Sequence, residues 1–488
     1  MFREVLNEIA SNLNEIHSVR YSTRFWNIFV GAWLQQFVDL VVAQICNDSS
    51  APTVNSVHFP PAQNMREFQG FAKNDNFVQQ LRSEIGSNNY ILTNQNTIQF
   101  NAIVDVNVSG STTEFGRPFL STTYLSRFYE TMLQIRLGRF TIRLKPVEVH
   151  PQTTDATIRK ALHIKSDQPR SVSQLVLSLL PKYMPHVYLE SYKYLSTTPM
   201  PWKSRKFPRV IFTSNRHLYD DVFNFWTAHA TELGSRLVLG QHGGFYGISE
   251  FPSAAERHEK QIADRYLTWG WSAKGKSIAG PATILVGVKP IKRKTPKHLV
   301  VVTDQLFTTP RSIFSDIGES SRYLENINLL INELGPAKSS VLVRMPLTHA
   351  ESGGSQVQWF NEHLPQTALD TGQQKFRQLL KESKLVVIPH NGTTLIESIA
   401  LRVPTIIFWD RSIVWMRSEA EAAFDALEEA GIFHRTPESA AAVINSIWDD
   451  VDGWWNSPAT LEARKHFTDQ YARTVSRPVR FLAKALQF

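Results

Sequence analysis

Two rhythms of apolar residues run through the chain. Between 14 and 46, Tyr21, Phe25, Trp26, Phe29, Val30, Trp33, Leu34 and Phe37 recur at three- and four-residue steps, the spacing of a long helix whose wide apolar face belongs in a core. From 209 onward the pattern changes. Short, β-branched runs at 210–212, 237–239, 266–268 and 284–288 read as strands, with helical periods at 220–231 and 253–264 between them. A second series of strands at 299–302, 340–343, 385–388 and 405–408 alternates with helices near 322–334, 373–382, 393–401, 417–430 and 437–449. Such alternation predicts parallel, doubly wound sheets. The stretch 47–111 is less regular, rich in Asn, Ser and Gln, with a helix near 67–85 and strands around 90–108; a helix at 120–137 and a strand at 139–144 follow. The expected architecture is α/β, with two Rossmann-like domains facing across a cleft. Residues 1–288, opening with a helical segment, form the first, and 298–458 the second. A Lys/Pro linker at 289–297 joins them, and a helical tail at 459–488 packs back on the first domain.

Composition narrows the class. With 42% hydrophobic and 20% charged residues over 488 positions, the chain reads as a folded, multidomain globular protein. The single cysteine, Cys46, rules out an internal disulfide and a multi-cysteine zinc site; at the end of an apolar helix it reads as a buried structural thiol. No apolar run approaches the roughly twenty residues of a membrane span, and no secretory leader pattern opens the sequence, so a cytoplasmic protein is expected. The net charge of +8 implies anionic company. Nucleic acid is not expected, since the charge is dispersed and no zinc-finger, RNP or basic-zipper pattern occurs. The tail carries Arg464, Lys465, Arg473, Arg477, Arg480 and Lys484 with no acid after Asp469. It could also rest on an anionic membrane surface, which would make the protein peripheral on the inner face of the cytoplasmic membrane.

The candidate chemistry gathers at strand ends. The run Gln241-His242-Gly243-Gly244-Phe245-Tyr246-Gly247 follows a predicted strand, where ligands of α/β folds bind. Its glycines permit close backbone approach, and the Gly243 and Gly244 amides suit an anion. Upstream, Asp220 and Asp221 open a helix, either as reactive carboxylates or as dipole-favoured solvated residues. Glu148 and His150 lie between prolines past a strand end. In the second domain a strand runs into His390-Asn391-Gly392-Thr393-Thr394, followed one turn later by Glu397. Hydroxyls at a helix N-terminus make a phosphate site, and Glu397 could hold a ribose. Arg344, ending another strand, could pair with phosphate or carboxylate. The only Asp-x-Asp, at 450–452, ends a C-terminal helix away from both edges, so no metal site is expected. Without Gly-x-Gly-x-x-Gly or a phosphate-loop lysine pattern, dehydrogenase and ATPase readings fall away, and no cofactor is called for.

Two such edges across a hinge form the cleft of a GT-B glycosyltransferase. Several stretches resemble a bacterial family of surface-polysaccharide transferases with a QHGGxYG signature: 17–26 with 31–34, 241–247, 258–271, and 430–434 followed by Trp454-Trp455. More distantly, the layout is similar to the retaining β-Kdo transferases of capsule and O-antigen assembly. The chain departs from the capsule enzymes where they carry His-Pro, reading Arg344-Met345-Pro346-Leu347. The resemblance implies CMP-Kdo or a related nucleotide-activated acidic sugar as donor, a glycan or glycolipid acceptor, and no metal. It further implies a covalent intermediate on Asp221, or on Asp220, with Glu148 as acid/base. His242 and the Gly243 and Gly244 amides would hold the sugar carboxylate or leaving phosphate, while His390, Asn391, Thr393, Thr394 and Glu397 would hold the nucleotide. The rivals are a polyol-phosphate transferase, a sugar-nucleotide epimerase, and a non-catalytic scaffold of a polysaccharide assembly complex.

Overall fold

The computed structural model describes residues 1–46, 59–87, 116–138, 149–162, 169–197, 207–272, 275–306, 319–346, 356–410 and 414–488. The expected strands at 90–108 and 139–144, and with them Glu148, lie outside the described residues.

The first sheet has five parallel strands in the order β1 (Phe119–Ser121), β2 (Val210–Thr213), β3 (Arg236–Gly240), β4 (Arg265–Thr268) and β5 (Ser277–Ala279). Alternate side chains divide between two cores, as the pleat requires. Ile211, Leu237 and Leu239 face one apolar cluster; Val210, Phe212 and Val238 face another. Against the first lie the helices Asp221–Glu232 and Ala254–Ile262, and beyond them the helix Thr23–Cys46. That last helix is long and apolar enough to cross a membrane by length and composition, so the expectation that no run approaches a span needs correcting. In this fold 89% of its most apolar window is buried within the protein, where helices close over it on every side. Cys46, expected to be buried, is exposed at its end.

The second sheet has six parallel strands in the order β11-β10-β9-β6-β7-β8. These are β6 (His298–Val302), β7 (Val341–Arg344), β8 (Ala368–Asp370), β9 (Ser383–Ile388), β10 (Thr405–Phe408) and β11 (Phe433–His434). The chain builds outward from β6 to β8, then returns to β6's other side with β9. The reversal leaves a crevice at the carboxyl ends of β6 and β9, the place where ligands of open α/β sheets bind.

Three expected elements differ. Residues 284–288 form no strand but a short 3-10 turn, Thr283–Leu285. The expected helix at 120–137 is Arg127–Arg136, because the apolar residues before it belong to β1. The helix near 67–85 is broken into Met65–Ala72 and Asp75–Ser87.

The linker is strapped to the second domain: the Ile291, Lys294 and Lys297 amides donate to the carbonyls of Leu401, Lys381 and Glu382. The chain then crosses back. The helix Pro458–Tyr471 packs on Ser418–Glu429 of the second domain. The Arg473 amide next bonds the Trp269 carbonyl at 2.9 Å, and the helix Pro478–Ala485 adds Leu482, Ala483 and Leu486 to the outer core of the first sheet.

Candidate active site

The loop after β3 is set by Gln241. Its side-chain oxygen accepts from the Trp269 amide and the Trp271 indole, each at 2.8 Å, and its Nε2 donates to the Gly243 carbonyl at 2.8 Å. Gln241 is thus a buried brace joining the β3 and β4 loops. Gly247 lies at φ +78°, and a Cβ there would lie 2.5 Å from the Trp271 ring; glycine meets both demands.

His242 is carried outward from this brace to a buried carboxylate. Its Nδ1 lies 3.1 Å from Glu259 Oε1 and its Nε2 3.1 Å from the Tyr246 hydroxyl. Glu259 also receives His217 Nε2 at 3.2 Å and the Tyr266 hydroxyl at 2.9 Å. Burial alone would push the Glu259 carboxyl up, but His242 and His217 outweigh it and hold it at about 2. The side chain of Glu259 is wholly enclosed while that of His242 is 16% exposed, so the imidazole is the member of the pair a substrate can reach. His258, on the same helix, donates from Nε2 to the Asn27 carbonyl (2.8 Å), and burial lowers its pKa to about 4.

Neighbouring loops complete the rim. After β1, Thr122 and Tyr124 both take left-handed backbone angles, φ 46° and 60°, a strain that gathers at functional edges. Tyr124 accepts a hydrogen bond from Asn215 in the β2 loop at 2.8 Å.

Across the cleft, the helix Thr393–Ala400 aims its N-terminus at this loop. Gly392 caps it with no side chain. A Cβ on Gly244 would lie 2.7 Å from Thr393 Cα and 2.8 Å from the Gly392 oxygen, so the two sheet edges meet backbone to backbone. The Gly244 amide donates to Thr393 Oγ1 at 3.0 Å, and so that amide, expected to hold an anion, is engaged between the domains. Thr394 Oγ1, in contrast, is enclosed without a partner among the described residues, an unusual state for a buried hydroxyl. His390 accepts the Gly392 amide on Nδ1 at 3.0 Å; burial lowers its pKa, against the influence of Asp304 and the Val302 carbonyl at the end of β6. It therefore occupies the crevice between β9 and β6. Asn391 donates to Ser249 Oγ at 2.8 Å, a second bond across the cleft.

Other expected site residues are engaged elsewhere. Asp220 caps its helix through the Phe223 amide and pairs with Arg216 at 2.8 Å. Asp221 accepts from the Tyr188 hydroxyl (2.8 Å) and the Met65 amide (2.9 Å), and burial raises its pKa to about 6. Both are almost wholly buried, so neither solvated helix-start residues nor exposed nucleophiles describes them. Arg344 pairs with Asp370 at 2.5 Å, and Glu397 with Arg377, which also reaches the Ile284 carbonyl; neither is a bare charge awaiting ligand. Of the residues at 148–150, His150 lies beside Tyr194, with ring centroids 5.8 Å apart. Among the described residues, no three His, Cys, Asp or Glu side chains are grouped to hold a metal ion.

The sequence matches the LIC12162 family of transferases over residues 1–486. The chain belongs to that family. It is therefore a transferase. No curated protein matches the chain. Solved structures share the broad layout at low similarity. A putative UDP-N-acetylglucosamine 2-epimerase from Listeria monocytogenes is 12% identical over 56% of this chain and 72% of its own, with a TM-score of 0.35. The wall teichoic acid polymerase TagF is 8% identical over 76% and 88%, with a TM-score of 0.34. MurG of Acinetobacter baumannii is 10% identical over 76% and 98%, with a TM-score of 0.33. Likeness at this level carries no argument about substrate. Within this family member, the 17–26 stretch has a packing role. His17 stacks on Tyr192 with centroids 3.8 Å apart, and Arg24 pairs with Asp264 at 2.7 Å, fixing the N-terminal helices to the first domain.

Glu259 lies in the 258–271 stretch that carries the family resemblance, yet neither it nor His217 is assigned a role from the sequence. One signal was available: Glu259 and His258 stand three and four residues before buried Ile262, on the helix face where periodicity asks for apolar residues.

Proposed function

We propose that this chain is a metal-independent glycosyltransferase of bacterial surface-polysaccharide synthesis, moving a sugar from a nucleotide donor to a glycan or glycolipid acceptor. The observation that carries the reading is the His242–Glu259 pair, an accessible imidazole backed by an enclosed carboxylate, across the cleft from a helix N-terminus that no side chain caps. With Nδ1–H held by Glu259, His242 takes the proton of the acceptor hydroxyl on Nε2, where the acceptor displaces the Tyr246 hydroxyl, as that oxygen attacks the anomeric carbon. Glu259 orients the ring and stabilises the imidazolium that forms. The leaving phosphate goes to the first-turn amides and hydroxyls at Thr393 and Thr394, where the helix dipole favours negative charge. The nucleoside lies in the β6/β9 crevice beside His390.

This route is a single displacement with inversion. It departs from the retaining, aspartyl-linked route implied by the Kdo-transferase resemblance, because both carboxyl oxygens of Asp221 are enclosed and already accept hydrogen bonds. The net charge of +8 and the same resemblance favour an acidic sugar donor, CMP-Kdo foremost. An imidazole that deprotonates a hydroxyl would serve polyol-phosphate transfer equally well, and phosphorus in the product separates the two.

The test is turnover of a panel of nucleotide sugars, CMP-Kdo included, with a glycan acceptor. His242→Ala should cost about 10²- to 10⁴-fold in kcat, leave donor affinity unchanged, and recover in part when imidazole is added. Transfer by His242→Ala at the wild-type rate would sink the assignment.

A further inference from the structure

The helix Arg127–Arg136 follows directly on Tyr124 at the carboxyl edge of β1. Its inner face is filled by Leu133, with Glu130 held inside by the Thr123 hydroxyl at 2.6 Å. Its outer face presents Phe128, Met132 and Ile135, which are 66%, 41% and 49% exposed. The steps of four and three residues align them in one stripe. Arg127 and Arg136 flank that stripe and are exposed. Beside it packs the helix Pro478–Ala485, whose inner Leu482 and Ala483 share the same core as Leu133. Its outward side carries Arg480 and Lys484, preceded by Arg477, all exposed. The first helix's one acid is buried, and 477–488 contains none.

We propose that this two-helix face lies on the anionic surface of a lipid bilayer. Phe128, Met132 and Ile135 enter the boundary between headgroups and acyl chains, and the flanking cations meet lipid phosphates. Basic residues around an apolar stripe of a surface helix are the composition such binding needs. The tail is therefore no free arm: it contributes one half of a folded face. The placement brings the His242 edge close to the membrane, where a lipid-borne acceptor would enter. Only that last point rests on the transfer reading, since binding to lipid is measured without substrate.

The experiment is cosedimentation of the full chain with vesicles of phosphatidylcholine alone and of equal parts phosphatidylcholine and phosphatidylglycerol. Binding is expected to the anionic vesicles only, and to weaken with salt. Arg480→Gln with Lys484→Gln should lower the affinity about fivefold per cation removed, the equivalent of about 1 kcal/mol each. Replacing Phe128, Met132 and Ile135 together by serine should lower it at least about tenfold without altering circular dichroism. A Phe128→Trp variant should shift its emission to the blue on anionic vesicles. Equal binding to both vesicle types, or a serine variant that binds as wild type, overturns the proposal; so does a concentration-dependent dimer that the serine changes abolish, which would assign the stripe to a second copy of the chain.

Discussion

Replacing Glu259 by Gln removes one charge from an enclosed site and almost nothing else. The carboxylate is depressed from 4.5 to about 2 in the folded protein, a difference on the order of 3 kcal/mol between its two protonation states. Because the folded value lies below the unfolded one, that contribution is complete above pH 4.5 and is lost as pH falls through about 2. The wild-type advantage over Glu259→Gln, measured by urea unfolding, should therefore be about constant near neutrality and shrink steadily below pH 4.5. In activity, the amide cannot accept from His217, His242 and Tyr266 together, so the His242 ring loses its orientation and its counter-charge. A hydrogen bond to a charged group contributes roughly 1.5–3 kcal/mol, which corresponds to a fall of about 10- to 150-fold in kcat with donor affinity preserved. A stability difference that stays flat from pH 5 to acid unfolding would refute the buried-anion argument, and unchanged kcat would refute the pairing with His242.

Three further outcomes follow from the same geometry. Asp221→Asn should retain transfer within a few-fold, whereas an aspartyl nucleophile requires its complete loss; because burial raises Asp221 to about 6, its stabilising contribution is present below pH 3.8 and lost as pH rises through 6, so the melting temperature of the variant should gain on wild type between pH 4 and 7. Gly244→Ala places a methyl against Gly392 and Thr393 backbone; it should leave the domains folded but held apart, with turnover sharply reduced and small-angle scattering showing a more open molecule. Gly247→Ala combines a left-handed backbone with a clash against Trp271 and should lower stability by more than about 1–3 kcal/mol, seen as a lower urea midpoint.

The longer fully buried strands were legible, because valine-rich runs such as Leu299 to Val302 have one physical outcome, whereas β11, buried but only two residues long, carries too little pattern to read. Leu120 and Ser121 of β1 fall inside the helix expected at 120–137, since a strand with only two apolar residues, Phe119 and Leu120, fits either period. The Gln241–Gly247 and His390–Thr394 loops were placed correctly at strand ends, because glycine and hydroxyl residues after a strand mark a turn. Their partners were not. Glu259 stands 17 positions after His242 in the chain, and Asp221 is turned toward Tyr188 and Met65, pairings that no local spacing encodes. The membrane-length helix Thr23–Cys46 shows the same limit, since what covers a helix is decided by elements far away in sequence.

The return of the chain from the second domain to the first has a consequence for biogenesis. The outer core of the first sheet is completed by Leu482, Ala483 and Leu486, so during synthesis Phe212, Val238 and Leu267 are covered only in part, by Leu125, Leu133 and Val286, until residues 478–486 have left the ribosome. The second domain, whose strands lie between 298 and 434, has by then already emerged. The part made first is thus finished last, and in the interval its apolar sheet face is a natural client for a chaperone.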